Sequence, residues 1–398
     1  MKGKKRHEFV WKILYSFVPP WMAKKFNFDY EKISVDSSPY IVISNHLTNW
    51  DMLLTGSSFK KMMYFVASDH IFRMGFVSKI IMFLVAPIVR QKSIQETQTV
   101  ITMFRRLKEN CNICIFVEGT TSFIGKTGEI QPAIAKFVKK AGVAMVTYRL
   151  SGAYLTLPRW ARFIHRGKMY GKLAKIYSPS EIAAMSTDEI YAAIKNDLYV
   201  NAYDDQKNNP IAYRGKQPAE CLETMLYLCP KCRQFSTLKS SGDTLSCPCG
   251  FSVRYNEYGY FEAAESKEEP PFSTIVDWGE WQKKEVEAIA QTMGTLESNT
   301  PVFCDDGQSL YQIARARRKD LVAKGTLCFF NNRISIMNNK DKAIEFQLDS
   351  IIEIEFITMM TIIFSTKEHK VYEIHSEHPR SALKYHELFK AWLSTKKE

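Results

Sequence analysis

The segment YIVISNHLTNWD, Tyr40 to Asp51, begins with five strand-forming residues and changes character within the next few. The β-branched run YIVIS ends at Asn45, and a helix-like stretch starts near Trp50, with Thr48 or Asn49 available as its N-cap. Strand, polar turn and helix start, in that order, put His46 on a strand-to-helix turn and Asp51 in the first helical turn. On one straight helix residues five apart do not share a face; a turn between them lets the carboxylate reach the imidazole.

Outward from this turn, short β-branched runs alternate with helix-like segments as far as about Val200. After the helix from about Trp50 come MMYFVAS, a helix over 71–84, APIVR, a helix over 95–109, NICIFVEG, a helix over 131–141 and VAMVTYRL. Such alternation predicts an α/β domain on a largely parallel sheet, placed at residues 1–203. The polar, proline-containing segment DDQKNNPIAYRGKQPAE reads as a linker, taken as 204–225.

The chain has 398 residues, 45% of them hydrophobic, enough for two or three domains and unlike a disordered chain. A net charge of +12 suits an anionic partner, whether a lipid headgroup, a CoA-type donor or nucleic acid. The start MKGKKRHEF lacks the features of a secretory signal and the nine cysteines are odd in number, which argues against a disulfide framework. The longest apolar stretches are Phe9 to Met22, broken by Pro19-Pro20, and Met74 to Val89, interrupted by Lys79. Both fall short of the roughly 18–20 residues of a spanning helix and read better as interfacial segments.

Acyl transfer to an alcohol needs a base that takes the hydroxyl proton as the oxygen attacks, and a neutral imidazole held by a carboxylate supplies it. His46 and Asp51 are candidates for that pair; the plainer alternative is a loop histidine beside a helix-start aspartate. The second polar turn, Phe116-Val117-Glu118-Gly119-Thr120-Thr121-Ser122, also follows an apolar strand, where open α/β sheets gather ligands. Gly119 allows close backbone approach, Thr120, Thr121 and Ser122 offer hydroxyls, and turn N–H groups can hold phosphate.

Together these residues resemble the PlsC-type glycerolipid (lysophosphatidate) acyltransferases, over about residues 8–200. The family's His, four residues, Asp is matched by His46 and Asp51 within NHLTNWD, and its Phe-Pro-Glu-Gly-Thr-Arg-Ser block by FVEGTTS. Arg90 in APIVRQ stands where the family has an arginine after a short strand. The resemblance implies a glycerol-phosphate-acyltransferase-like α/β fold with a mixed, mostly parallel sheet, and an acyl-CoA or acyl-carrier-protein donor. It further implies His46 and Asp51 as catalytic, with Asn45, Arg90, Glu118, Gly119, Thr120, Thr121 and Ser122 binding substrate. Val117 replaces the usual proline, and Thr121 stands in the place of an arginine that assists in holding acceptor phosphate. Phosphate recognition then passes to Arg90, Lys126 or Arg149, or the acceptor differs.

Residues 226–265 hold Cys229-Pro230-Lys231-Cys232 and Cys247-Pro248-Cys249-Gly250, a CxxC and a CxC separated by fourteen residues. Two turns that aim paired thiolates at one centre suit tetrahedral zinc, and four sulfurs leave no open position for chemistry. The module resembles a zinc ribbon; redox pairs or free thiols are the competing readings. A linker with one helix near Trp281 to Met293 fills 266–299, and successive β-patterned runs over 300–398 end in a helix over about 379–395. That is the order of a small PH-like barrel. Cys111, Cys114, Cys221, Cys304 and Cys328 read as packing residues.

Lys2, Lys4, Lys5, Arg6, Lys24, Lys25, Lys60 and Lys61, and Arg159, Arg162, Arg166 and Lys168, mix with Trp11, Trp21, Phe26 and Trp160. They suggest a surface that seeks anionic lipid at the cytoplasmic face of a membrane, peripheral or monotopic, with no nucleic acid expected. The alternative is a catalytically inactive scaffold that binds lipid or nucleic acid through the ribbon and the PH-like end. Such a scaffold has no physical reason to keep His46, Asp51, Glu118 and Gly119 together.

Overall fold

A computed structural model describes residues 3–68, 76–90, 96–264, 269–313, 319–337 and 343–396. Lys2 of the N-terminal basic cluster, residues 71–75 of the helix expected over 71–84, residue 95 of the next one, and 265–268 of the acidic stretch lie outside the described residues. Two compact units divide the chain: residues up to Arg159 with Ile164–Arg214, and Trp160–Phe163 with the chain from Gly215 onward.

In the first unit α1 (Lys4–Phe26) leads to β1 (Phe28–Tyr30), β2 (Tyr40–Ser44), α2 (Asp51–Ser58), β3 (Met63–Ser68), α3 (Phe76–Leu84) and β4 (Ile88–Arg90). There follow α4 (Glu96–Lys108), β5 (Asn112–Phe116), α5 (Ala133–Ala141), β6 (Ala144–Ser151), α6 (Ala153–Thr156) and β7 (Met169–Tyr177). Helices α7 (Pro179–Ala184), α8 (Thr187–Leu198) and α9 (Ala202–Asn208) complete it. The strands form one seven-stranded sheet in the order β1-β7-β6-β2-β5-β3-β4. All neighbours run parallel except β6 with β7, so the sheet is mixed and mostly parallel.

Burial on both faces explains why the central strands read as unbroken apolar runs rather than alternating ones. Every residue of β2 is buried. On one face Ile41, Ile43, Ile113, Ile115 and Met145 pack with Val138 of α5 and Ile190 and Ile194 of α8. Asn112 aligns the strand starts: its carbonyl accepts from Tyr40 N–H (3.2 Å) and its amide donates to Met62 (2.9 Å).

Two expectations change here. The first helix runs on through Pro19 and Pro20 to Phe26 instead of breaking. Each proline forfeits an N–H and crowds the preceding turn, and the helix is held across them by the burial of Pro19, Met22 and Phe26. The first unit also extends past 203 to Arg214: the Gln206 amide both donates to and accepts from the Ile211 backbone (2.8 Å each), and Arg214 pairs with Arg166. The first part of the expected 204–225 linker is thus a folded edge of the α/β unit.

The second unit contains β8 (Lys239–Ser241), β9 (Thr244–Ser246), β10 (Ser252–Tyr255) and β11 (Phe261–Ala263), an antiparallel sheet in the order β11-β10-β9-β8. Helix α10 (Ile275–Thr292) starts earlier than expected because Thr274 caps it, accepting from Asp277 N–H. Then β12 (Phe303–Ile313), β13 (Lys319–Phe329), β14 (Arg333–Met337), β15 (Ala343–Gln347), β16 (Ile351–Thr358), β17 (Thr361–Thr366) and β18 (Val371–Ser376) precede α11 (Leu383–Thr395). These seven strands are antiparallel in the order β15-β14-β13-β12-β18-β17-β16. Ribbon, helix and sheet are one packed unit: Gln282 accepts from Tyr227 and Leu228 N–H, and Trp278 donates to Leu228. The buried Lys384 ammonium reaches both Asp305 oxygens (2.6 and 2.8 Å), tying α11 to β12. Cys304 and Cys328, expected as packing thiols, are joined by a disulfide, because the β12–β13 register sets them directly opposite each other.

Candidate active site

β2 and β5 are parallel neighbours with Ser44 opposite Phe116, so the chain leaving each strand enters the same space two residues later. His46 and Glu118 meet there: the His46 N–H donates to Glu118 Oε1 at 2.7 Å. The other Glu118 oxygen accepts from Gly128 N–H (2.6 Å), and Ser122 N–H donates to the His46 carbonyl (2.8 Å). Glu118 is therefore the clasp that holds two turns at the strand ends.

The imidazole Nδ1 of His46 lies 2.8 Å from Asp51 Oδ2. An ionised carboxylate only accepts, so Nδ1 carries the proton and Nε2 keeps the lone pair. The same Asp51 oxygen accepts from Thr48 N–H (2.9 Å) and Leu47 N–H, and Oδ1 accepts from the Thr48 hydroxyl (2.7 Å). The His46 side chain is 22% exposed and that of Asp51 0%, so the ring can be reached from outside while its carboxylate cannot. Neither Thr48 nor Asn49 is the N-cap of α2: Trp50 holds that position, and the Thr48 hydroxyl accepts from Trp50 N–H at 3.1 Å. The Phe116 ring stacks on the imidazole at 4.7 Å between centroids, Phe65 on Phe116, and Trp11 of α1 on Phe65.

The remaining expected residues divide between site and scaffold. Gly119 sits at φ 70 with an Arg90 guanidinium nitrogen 2.7 Å from where a Cβ would be, so Arg90 does reach the Glu118–Ser122 turn. Asn45 is fully buried and spends its amide on β6, donating to Leu150 O (2.9 Å) and accepting from Leu150 N–H (2.8 Å). Ser122 is buried too; its hydroxyl donates to Lys126 O and accepts from Gly125 N–H. Both brace the turn rather than offer groups to a ligand. Arg159, expected on a lipid-facing surface, instead donates to the Thr120 hydroxyl (2.8 Å) and the Thr121 carbonyl (3.1 Å). It covers the Phe123 ring at 4.5 Å. A second guanidinium thus stands at the turn whose own sequence lacks one at Thr121. No local signal marks Arg159 for this, since it arrives from the loop after α6.

Burial pushes the Glu118 carboxyl from 4.5 up to about 7, against the pull of its two backbone N–H donors and of His46. Between those values the folded chain keeps a proton that the unfolded chain has released, so stability falls as pH rises through the window. The expected loss between pH 4.5 and 8 is on the order of 3 kcal/mol. Glu118→Gln should lower stability at every pH, because its amide opposes an N–H donor, and should remove this slope. Urea midpoints across the range test this, and an unchanged slope in the variant contradicts it.

In the second unit the sulfurs of Cys229, Cys232, Cys247 and Cys249 all lie within 4.8 Å of one another. Cys229 and Cys249 are 3.7 Å apart, Cys232 and Cys247 3.8 Å. Tetrahedral zinc with Zn–S of about 2.3 Å requires sulfur separations of about 3.8 Å, so the residues present fit that ion as a closed, four-sulfur site.

A solvent-reachable imidazole backed by a buried carboxylate, beside a turn flanked by two arginines, is an arrangement able to take a proton from a hydroxyl next to an anionic group. Residues 25–151, about a third of the chain, match the family model described as Acyltransferase. No curated protein matches the sequence. Among solved structures the chain is similar to the 1-acyl-sn-glycerophosphate (LPA) acyltransferase PlsC from Thermotoga maritima, at 19% identity, TM-score 0.41, covering 48% of this chain and 78% of that one. It is also similar to Dcp1p, at 13% identity and TM-score 0.22, covering 24% of this chain and 84% of that one.

Proposed function

We propose that the first unit transfers a fatty acyl group from an acyl thioester, on CoA or acyl-carrier protein, to a hydroxyl of lysophosphatidate or a related lysophospholipid. The observation that carries this reading is the His46–Asp51 pair at 2.8 Å, with its outer ring nitrogen available at the end of the sheet. His46 Nε2 takes the proton of the acceptor hydroxyl as its oxygen attacks the thioester carbonyl, and Asp51 stabilises the resulting imidazolium. Collapse of the tetrahedral intermediate forms the ester, breaks the carbon–sulfur bond and returns the proton to the departing thiolate. No serine or cysteine nucleophile is required.

Arg90 and Arg159, at the Glu118–Ser122 turn, hold the acceptor phosphate. Arg159→Ala should raise KM for lysophosphatidate by about 10- to 100-fold, through lost charge-assisted hydrogen bonds. KM for an uncharged monoacylglycerol should stay within about threefold of the parent's; equal increases for both acceptors would remove the phosphate role.

Phe9, Ile13, Phe17 and Trp21 are exposed at four-residue spacing along α1, and Ile80, Met82 and Phe83 of α3 are exposed too. Among the described residues no helix is long and apolar enough to cross a membrane. Together with the basic residues, these exposed side chains suit docking at an anionic membrane surface on the cytoplasmic side. The four-cysteine cluster holds structural zinc in a ribbon, followed by a PH-like sheet.

The decisive assay incubates the purified chain with a long-chain acyl-CoA or acyl-carrier protein and a panel of lysophospholipids, and follows products by mass spectrometry. A diacylated product is expected, and thioester left intact with every acceptor rejects the proposal.

A further inference from the structure

The chemistry above uses one side-chain contact of the His46 ring, the Asp51 carboxylate at Nδ1. A hydrogen bond at one corner of a ring fixes a distance and leaves the ring free to swing about the Nδ1···Oδ2 line, carrying Nε2 along an arc. A contact on the face of the ring stops that swing. Phe116 supplies it, stacked on the imidazole with 4.7 Å between centroids and 23° between planes. Strand register brings it there: Phe116 stands opposite Ser44 in the parallel β2–β5 pair, and Ser44 is two residues before the histidine.

Phe116 is itself braced. Phe65 of β3, the strand beside β5, is stacked on it at 6.3 Å and 10°, and Trp11 of α1 on Phe65 at 6.2 Å and 29°. Trp11 is pinned in turn: its indole N–H donates to the Lys60 carbonyl at 3.2 Å, and its ring packs so closely on Gly56 of α2 that a Cβ there would stand 3.2 Å from it. Trp11, Phe65, Phe116 and His46 are all half-buried. The row therefore runs where apolar burial contributes less than it does in the core, and it ends on the reactive imidazole.

A benzene ring offers more at this place than an aliphatic side chain of similar size. Its face carries the negative lobes of the ring quadrupole and attracts a cation within about 6 Å of the centroid. His46 becomes that cation only on taking the acceptor's proton. The attraction thus grows as the transition state forms, which is the condition for raising kcat rather than merely tightening binding.

We propose that Phe116 is a positioning residue for the transfer, acting through His46: its ring fixes the plane of the imidazole, and its face stabilises the imidazolium formed when the acceptor O–H proton reaches Nε2. Phe65 and Trp11 hold Phe116 in place. The inference rests on the general-base reading of His46 and deepens it.

The test is a double-substitution cycle on the full chain, with a long-chain acyl-CoA and lysophosphatidate as substrates and with kcat and KM read separately. Phe116→Leu, which keeps an apolar side chain and removes the ring, should lower kcat about three- to tenfold and leave both KM values within about twofold. Phe116→Tyr, which keeps the ring, should restore kcat to within about twofold of the parent's. In the His46→Ala background Phe116→Leu should have no further effect, since the ring then has no imidazole to act on. Phenylalanines carrying successively more fluorines at position 116 keep the shape and drain the ring face, and kcat should fall stepwise along that series. The series also decides the matter if Phe116→Leu folds poorly. A flat fluorine series, or equal losses from Phe116→Leu with and without His46, overturns the proposal. So does a raised KM at unchanged kcat, which would assign Phe116 to substrate binding. Parental activity in His46→Ala rejects the base reading; an inactive His46→Ala beside an unimpaired Phe116→Leu rejects only the role given to Phe116.

Discussion

His46→Ala should lower kcat/KM for acyl transfer by about 10²- to 10⁴-fold, the range that removal of a positioned general base produces. Without the imidazole the acceptor hydroxyl must lose its proton to water while attacking the thioester, and among the described residues none is aimed to replace it. The fold should tolerate the change. The His46 N–H still binds Glu118, its carbonyl still accepts from Ser122, and Asp51 keeps Leu47 N–H, Thr48 N–H and the Thr48 hydroxyl as donors. The expected stability loss is about 1 kcal/mol or less. Asp51→Asn differs in kind: the residue is fully buried, and an amide there points N–H at a donor while releasing the imidazole tautomer. It should lose comparable activity and about 2–3 kcal/mol of stability besides. Thioester-release kinetics and thermal melts on both variants distinguish the roles. Retention of a tenth of parental activity by His46→Ala would show that the imidazole is not the base.

The second large effect concerns metal. The chain should purify with about one zinc ion per molecule, and Cys232→Ser should reduce that content severely. Chelation should lower the melting temperature of the second unit by about 10 °C or more, since structural zinc contributes on the order of 10 kcal/mol in small sites. Around the four sulfurs, β8 to β11 are only three or four residues each, too short to supply an independent core. Gln282 and Trp278 of α10 meanwhile bind the backbone at Tyr227 and Leu228, next to Cys229, so loss of the ion should loosen that helix as well. Metal-free protein from chelator-free preparation, with a melt indifferent to chelator, would leave the four cysteines without this role.

Much of the architecture was legible because it is local. YIVIS, NICIF and AMVTY are short, mostly apolar runs rich in β-branched residues and read as interior strands, and the interposed periodic segments supply the covering helices. The cysteine knuckles were equally plain, since CxxC and CxC turns set their sulfurs within a few residues. Helix boundaries were less so: Thr274 begins α10 earlier than the apolar pattern shows, and α1 absorbs two prolines that a local rule would treat as a stop.

By itself the sequence determined that His46 and Asp51 lie across a strand-to-helix turn, because five residues of chain cannot carry them far apart. Only the tertiary structure decided what surrounds them. Glu118, some seventy residues on, meets His46 through the parallel register of β2 and β5, and Arg159 reaches Thr120 from a loop no spacing rule connects to it. Cys304 joins Cys328 by antiparallel register. Periodicity and turn chemistry act over a few residues and can be read along the chain; strand register and loop packing are set by the whole core, and no single segment carries them.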